Sequence, residues 1–135
     1  MKLLVTGDRE WDRTDSMVDA FEDLFGTYNV KPSDIILIHG NCRGADKMAG
    51  EIGEFLGIDV RSYPAHWRHT DECLKDCREM QGRPAGVIRN GKMLTDNPDI
   101  ELALSFHTDL AKSKGTGDMC RRVDKAGIDR RHFDD

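Results

Sequence analysis

The sequence predicts an α/β fold in which helices cover both faces of a central parallel sheet of four to five strands. Two short apolar runs, residues 2–6 and 35–39, are each closed by a glycine, a pattern typical of buried parallel strands. Each run is followed by apolar residues at three- to four-residue spacing, which indicates an amphipathic helix. Strands and helices that alternate in this order imply right-handed crossovers and a three-layer sandwich.

The same patterns place the elements along the chain. Strands are predicted at residues 2–6, 35–39, 58–63 and 102–106. A first helix is predicted around the apolar residues 17–25, with Thr14 or Asp15 as its cap and Gly26 as its stop, and further helices at residues 45–56, 84–95 and 117–126. The polar stretch 68–83 is predicted to be weakly ordered, and so is the tail from Asp129, because its charge density suits neither core nor a long strand.

Length and composition favour one domain that spans residues 1–135. The formal net charge of −5 gives a field that repels nucleic acid and anionic membranes. The first apolar run is only a strand in length, so it predicts neither a signal peptide nor a membrane helix. The four cysteines are therefore expected to be thiols. These features predict a cytoplasmic protein with neither polymer nucleic acid nor a membrane as partner.

The loop after the first strand carries groups suited to a phosphate-bearing ligand. Ligands of open parallel sheets bind beyond the carboxyl ends of the strands. Here Gly7 allows close backbone approach, Arg9 supplies a fixed cation, and Trp11 offers an aromatic face for a base or ribose. The alternative interpretation is a turn with a surface ion pair and a partly buried tryptophan.

Two further loops combine glycine with basic residues at a predicted helix start. The second strand runs through His39 into Gly40, Arg43 and Gly44, where unpaired N–H groups and the positive helix end can meet a phosphate. This loop matches neither G-x-G-x-x-G nor the Walker A pattern, and an ordinary strand-to-helix turn could use the same glycines. The loop 112–118 is similar, with a solvated flexible loop as its alternative.

Five motifs follow one another along residues 1–128. They are Gly7-Asp8-Arg9-Glu10-Trp11, His39-Gly40-x-x-Arg43-Gly44-Ala45-Asp46, Pro64-Ala65-x-Trp67, Ala85-Gly86-x-Ile88-Arg89-Asn90-x-x-Met93-Leu94 and Gly115-Thr116-x-Asp118-Met119. In this order they resemble the signatures of the YspA-like branch of the SLOG superfamily. The resemblance implies a Rossmann-like fold that binds nucleotides or their derivatives, related to the LOG phosphoribohydrolases and to the DNA-processing protein A domain. It also implies a homodimer or larger homo-oligomer.

Transferred residue by residue, the resemblance implies a ligand pocket, and no cofactor is predicted. Its lining would be Gly7, Arg9, His39, Gly40, Arg43, Gly44, Asp46, Arg89, Asn90, Gly115 and Thr116, with Trp11 and Trp67 as walls. The LOG enzymes carry two glycines ahead of their Gly-Thr pair and a catalytic glutamate three residues after the threonine. This chain has Lys-Ser-Lys at 112–114 and Met119 at those places, so no catalytic residue is assigned. The stretch 68–83 also looks longer than the connection usual in the family.

That stretch and the residues just before it contain a second group of side chains, namely His66, His69, Cys73 and Cys77, of which the last three are four residues apart. Residues at i, i+4 spacing can share a zinc ion, but the C-x-x-C knuckle is missing and the cysteines can equally face the core of a short helix. No metal is predicted.

Three functions remain open on the sequence. The first is a binding module for a phosphate-bearing nucleotide or nucleotide-derived signal, acting as a sensor or sequestering protein. The second is an N-glycosidic hydrolase of nucleoside phosphates, in which Asp46 or Asp118 replaces the glutamate. The third is an assembly protein with a vestigial pocket. The binding module accounts for the phosphate loops and the missing glutamate together.

Overall fold

The computed structural model of the protein describes residues 1–65 and 85–135. One sheet with the order β3-β2-β1-β4-β5 contains the strands β1 (Lys2–Gly7), β2 (Ile36–His39), β3 (Asp59–Ser62), β4 (Ile100–Phe106) and β5 (Asp129–Phe133). All of its pairings are parallel. The predicted parallel sheet is therefore confirmed. The proposed insertion 68–83, with Trp67 and the group His66, His69, Cys73 and Cys77, lies outside the described residues.

Helices lie on both faces of this sheet. They are α1 (Thr14–Tyr28), α2 (Ala45–Leu56), α3 (Ala85–Asp96) and α4 (Gly115–Lys125), with short 3-10 turns at Pro32–Asp34 and Leu110–Lys112. Leu3 and Val5 of β1 pack with α1 and α2, whereas Leu4 packs with Met93 of α3 and Met119 of α4. Alternate residues of a strand point to opposite faces, so β1 is buried on both sides. The three-layer α/β sandwich is confirmed.

The charged tail forms a strand, contrary to the sequence prediction. Residues 129–133 pair with β4 as the edge strand β5. The ring of Phe133 stacks on Phe106 with centroids 5.0 Å apart, and Arg130 forms two hydrogen bonds with Asp124, at 2.9 and 3.0 Å. An edge strand exposes much of its length, so it tolerates charges that a central strand excludes.

The first helix also extends further than predicted. Gly26 does not end α1, which continues to Tyr28 and is followed by Asn29 with φ 51°. Asparagine adopts this left-handed conformation more readily than most residues and can therefore replace glycine as a helix stop. Among the described residues, no helix is long and apolar enough to cross a bilayer.

The strand order reverses at β1, and this reversal determines where a ligand can enter. The chain passes from β1 outward to β3 and then returns to the other side of β1 as β4. Gly7 at the end of β1 pairs with Phe106 at the end of β4, and Val5 pairs with His39 of β2. In open α/β sheets, the crevice outside such a reversal is the usual ligand site.

Candidate ligand-binding site

A cavity of about 430 Å³ lies at the carboxyl ends of β1 and β4, beside the amino ends of α2, α3 and α4. A volume of this size suits a small-molecule ligand. Its lining is Thr6, Gly7, Asp8, Arg9, Glu10, Cys42, Arg43, Asp46, Gly86, Val87, Arg89, Asn90, Met93, His107, Ser113, Lys114, Gly115 and Thr116. The structure thus brings together eight of the thirteen residues that the sequence analysis assigned to the site.

Two of the assigned glycines hold parts of the protein close to one another. A Cβ at Gly7 would lie 2.5 Å from both the Ala45 Cβ and the Phe106 carbonyl oxygen. Gly44 has φ 79°, and a Cβ there would collide with the backbone of Asp8 and Arg9. The close approach that each glycine permits therefore joins the start of α2 to the end of β1, and this contact fixes the wall of the cavity.

Asp46 binds the loop between β2 and α2, where the sequence predicts a phosphate. Its Oδ2 accepts hydrogen bonds from the backbone N–H groups of Gly40, at 3.1 Å, and Cys42, at 3.2 Å. Its Oδ1 is buried and has no hydrogen-bond partner in the described part of the chain. Burial raises the pKa of this carboxyl group to about 6. An internal carboxylate therefore already uses N–H groups that a phosphate at α2 would need.

His39 lies beneath the same loop, outside the cavity lining. Its Nδ1 accepts a hydrogen bond of 2.9 Å from the N–H of Asn41, and its ring faces Gly50 of α2. Burial, together with the nearby Arg89 guanidinium, lowers the pKa of the imidazole. The structure thus places His39 as a neutral, buried support of the loop. Gly40 also falls outside this lining, and a Cβ there would collide with Arg89.

Arg89 connects α3 to the ends of β2 and β3. Its Nη1 donates hydrogen bonds to the carbonyl oxygens of Gly40 and Tyr63, and its Nε donates to Asn90 Oδ1 at 3.0 Å. In the described residues, the partner of Nη2 is the Cys42 thiol at 3.6 Å, a weak acceptor. Arg89 therefore presents a rigid cation whose Nη2 has donor capacity left for an anion.

Asn90 links α3 to α4. Its Nδ2 donates to Asp118 Oδ2 at 3.0 Å and to the carbonyl oxygen of Gly115 at 3.3 Å. Arg122 donates to the same Asp118 oxygen at 2.9 Å. Asp118 is therefore held by an amide and a guanidinium, and it does not line the cavity. Met119 is fully buried in the core between α3, α4 and the sheet.

The start of α4 is capped by a neutral hydroxyl. Ser113 Oγ accepts hydrogen bonds from the N–H groups of Thr116, at 3.1 Å, and Gly117, at 3.2 Å. A Cβ at Gly115 would meet no atom of the described residues within 4 Å. Lys114 lines the cavity beside this helix start, so a basic side chain and the positive helix end occur together there.

The remaining assigned side chains differ in exposure. Trp11 is 4% exposed and its ring packs edge-on against Phe106, so the structure places it in the core rather than at the cavity. Arg43 forms an ion pair with Glu10 in which both side chains are more than two-thirds exposed. Arg9 and Arg43 also line a smaller groove of about 310 Å³, together with Gly40 and residues 64–65.

Sequence reasoning missed Asp8 and His107, which directly follow β1 and β4. Asp8 belongs to the first of the five sequence motifs but is not among the predicted pocket residues, and His107 belongs to neither set. His107 Nε2 lies 4.0 Å from Asp8 Oδ2. The signal that could have found both is their position, since each is the first residue after one of the two strands that flank the reversal of strand order.

A larger, open hollow of about 980 Å³ runs along α1, but its charge disfavours a phosphate. Its charged lining is Arg13 with the carboxylates Asp12, Asp15, Asp19, Asp23 and Asp135. Within residues 1–65 and 85–135, no group of three or more His, Cys, Asp or Glu side chains is arranged to hold a metal ion.

Known proteins resemble the chain at the level of sequence. Residues 1–69 match the family described as "YspA, cpYpsA-related SLOG family". The chain is 30% identical over 139 residues to the Gene 61 protein of Mycobacterium phage D29, an alignment that covers 99% of this chain and 97% of that protein. No solved structure is significantly similar to it. With its parallel sheet and its cavity at the strand reversal, the chain belongs to the YspA, cpYpsA-related SLOG family.

Proposed function

We propose that the protein binds a phosphate-bearing nucleotide or nucleotide-derived ligand in the 430 Å³ cavity and acts as a sensor or sequestering protein. The observation that carries this proposal is the position of the cavity at the reversal of strand order, with Arg89, Lys114 and the start of α4 in its wall. A fixed guanidinium, an ammonium group and a helix amino end are the groups that bind phosphate. Nucleotide-related binding is also what membership of the SLOG family suggests.

The phosphate is expected at α4 rather than at α2. The loop before α2 donates hydrogen bonds to the carboxyl group of Asp46, the second residue of that helix, which would repel an anion when it is ionised. The loop before α4 contains the neutral Ser113 hydroxyl and carries Lys114. Asp8 and Glu10 line the cavity as well, which favours a ligand with hydroxyl or amino donors besides its phosphate.

Binding without efficient cleavage agrees best with the surroundings of α4. Met119, at the place of the LOG glutamate, is a core residue that can neither donate nor accept a proton. Asp118 is occupied by Asn90 and Arg122. The SLOG family includes both enzymes and proteins without catalytic activity.

The second candidate is an N-glycosidic hydrolase, and the observation that favours it is Asp46. This carboxyl group lines the cavity, its pKa is raised to about 6, and its Oδ1 has no partner in the described part of the chain. A carboxyl group with such a pKa can donate a proton near neutral pH, as a departing base requires.

One experiment compares the two candidates. The pure protein is mixed with nucleoside mono-, di- and triphosphates and with cyclic nucleotides, and thermal shift and calorimetry measure binding while chromatography measures free base. Saturable binding without free base supports the binding protein. Multiple turnover that disappears in Asp46→Asn would establish the hydrolase, and absence of binding by every nucleotide would refute both.

A further inference from the structure

Asp8 and His107 are each held by hydrogen bonds through the backbone and through one side-chain atom. The Asp8 N–H donates to the Phe106 carbonyl oxygen at 2.8 Å, the Asp8 carbonyl oxygen accepts from Ala45 at 3.0 Å, and Oδ1 accepts from Glu10 N–H at 3.0 Å. The His107 N–H donates to Phe133 at 3.0 Å, and Nδ1 accepts from Asp109 N–H at 2.9 Å. Within residues 1–65 and 85–135, these bonds leave Asp8 Oδ2 and His107 Nε2 as the side-chain atoms available to a ligand.

The hydrogen bond from Asp109 also sets the tautomer of the imidazole. Because Nδ1 accepts, the proton of a neutral His107 ring resides on Nε2. The cavity wall thus holds a donor, His107 Nε2, beside an acceptor, Asp8 Oδ2. The side chains of His107 and Asp8 are 14% and 22% exposed, so both are largely shielded from bulk water.

The distance between the two atoms determines what fits them. At 4.0 Å they are too far apart for a direct hydrogen bond. An oxygen atom about 2.8 Å from each would make two hydrogen bonds at an angle of about 90°. A hydroxyl group meets this requirement, since it accepts one bond and donates the other. A phosphate oxygen does not, because it has no proton to give to the carboxylate.

We propose that Asp8 and His107 form a sugar-hydroxyl subsite through which the cavity selects ribonucleotides over deoxyribonucleotides. This inference rests on the proposed nucleotide binding and adds the chemical class of the sugar. The subsite lies where β1 meets β4, in the same cavity as the α4 start that is expected to hold the phosphate. Recognition of a hydroxyl by a buried donor and acceptor is selective, because a ligand without the hydroxyl leaves both groups unpaired.

The test measures affinity for ribonucleoside 5′-phosphates and for their 2′-deoxy and 3′-deoxy analogues by calorimetry. We expect wild type to bind the ribonucleotide roughly ten- to one-hundred-fold more tightly than one of the two analogues, the range for a hydrogen bond with a charged partner. The analogue that loses affinity identifies the hydroxyl.

Two variants remove the subsite while keeping local structure. Asp8→Asn retains an acceptor for Glu10 N–H, and His107→Asn retains an acceptor for Asp109 N–H but lacks Nε2. In each variant, the ratio of the affinity for the ribonucleotide to that for the deoxy analogue is expected to be close to one. Asp12→Asn, on the acidic hollow along α1, is the control that keeps the ratio.

The outcomes separate the two proposals. Equal affinity of wild type for the ribonucleotide and both analogues overturns the hydroxyl subsite and leaves nucleotide binding standing. No binding by any nucleotide overturns both. Release of free base that stops in Asp8→Asn would show that the pair holds an attacking water, and would also overturn the sugar-hydroxyl subsite.

Discussion

The two glycine-containing loops before α2 and α4 look alike in sequence but differ in what fills them. Before α2, the buried carboxyl group of Asp46 accepts the N–H groups of Gly40 and Cys42. Before α4, the hydroxyl of Ser113 accepts the N–H groups of Thr116 and Gly117. A glycine-rich helix start is therefore not by itself a phosphate site. Whether an anion can bind at such a helix start depends on the charge of the side chain that caps the helix.

The largest expected difference between the loops concerns their glycines. Gly44→Ala should destabilise the protein by roughly 3 to 4 kcal/mol, because alanine would be strained at φ 79° and its Cβ would collide with the backbone of Asp8. Gly115→Ala is the matched change before α4, where a Cβ meets no atom of the described residues within 4 Å, and it should leave stability within about 0.5 kcal/mol of wild type or raise it. Urea unfolding of both variants measures this, and equal losses would contradict it.

The next effect is the pH dependence that Asp46 gives to the first loop. Its folded-state pKa of about 6 exceeds the ordinary 3.8, so the folded protein keeps this proton to higher pH than the unfolded chain. Stability should consequently fall as the pH rises from about 4 to 6, by up to roughly 3 kcal/mol. Urea unfolding at several pH values should show wild type losing this stability relative to Asp46→Asn. Parallel pH curves would be inconsistent with a raised pKa.

Affinity for the ligand should distinguish Arg89 of α3 from Arg43 of the loop before α2. Arg89→Gln should weaken binding of the tightest nucleotide by about 2 kcal/mol, because a fixed guanidinium near the phosphate is lost. Arg43→Gln should cost well under 1 kcal/mol, since this side chain is 70% exposed and paired with Glu10. Calorimetry on variants whose circular dichroism matches wild type checks the order. A larger loss of affinity in Arg43→Gln than in Arg89→Gln would indicate that the phosphate binds at α2.

The smallest effect concerns the cap of α4. Ser113→Ala should lower stability by about 1 kcal/mol, because the N–H groups of Thr116 and Gly117 lose their acceptor. The same change frees these groups, so nucleotide affinity should hold or rise. Ser33→Ala, at an exposed position away from the cavity, serves as the control. A parallel loss of stability and affinity would indicate that the hydroxyl itself contacts the ligand.

Periodic apolar patterns determined most of the fold from the sequence alone. The runs ending at Gly7 and Gly40 gave two central strands, because a strand buried on both faces must be apolar throughout. The same reasoning missed β5, whose charges are acceptable only at a sheet edge and whose Phe133 needs Phe106 as a partner. Its formation therefore depends on a strand that lies far away in the sequence.

The candidate site was determined only in part by sequence. Position after a strand was enough to bring Arg9, Arg43, Asp46 and the start of α4 to one edge, since parallel strands end together. Tertiary structure alone decided that Trp11 is buried against Phe106 and that His39 supports a loop. It also decided that His107 lies beside Asp8. The pairing of β1 with β4 joins residues about one hundred positions apart, and no local pattern records that contact.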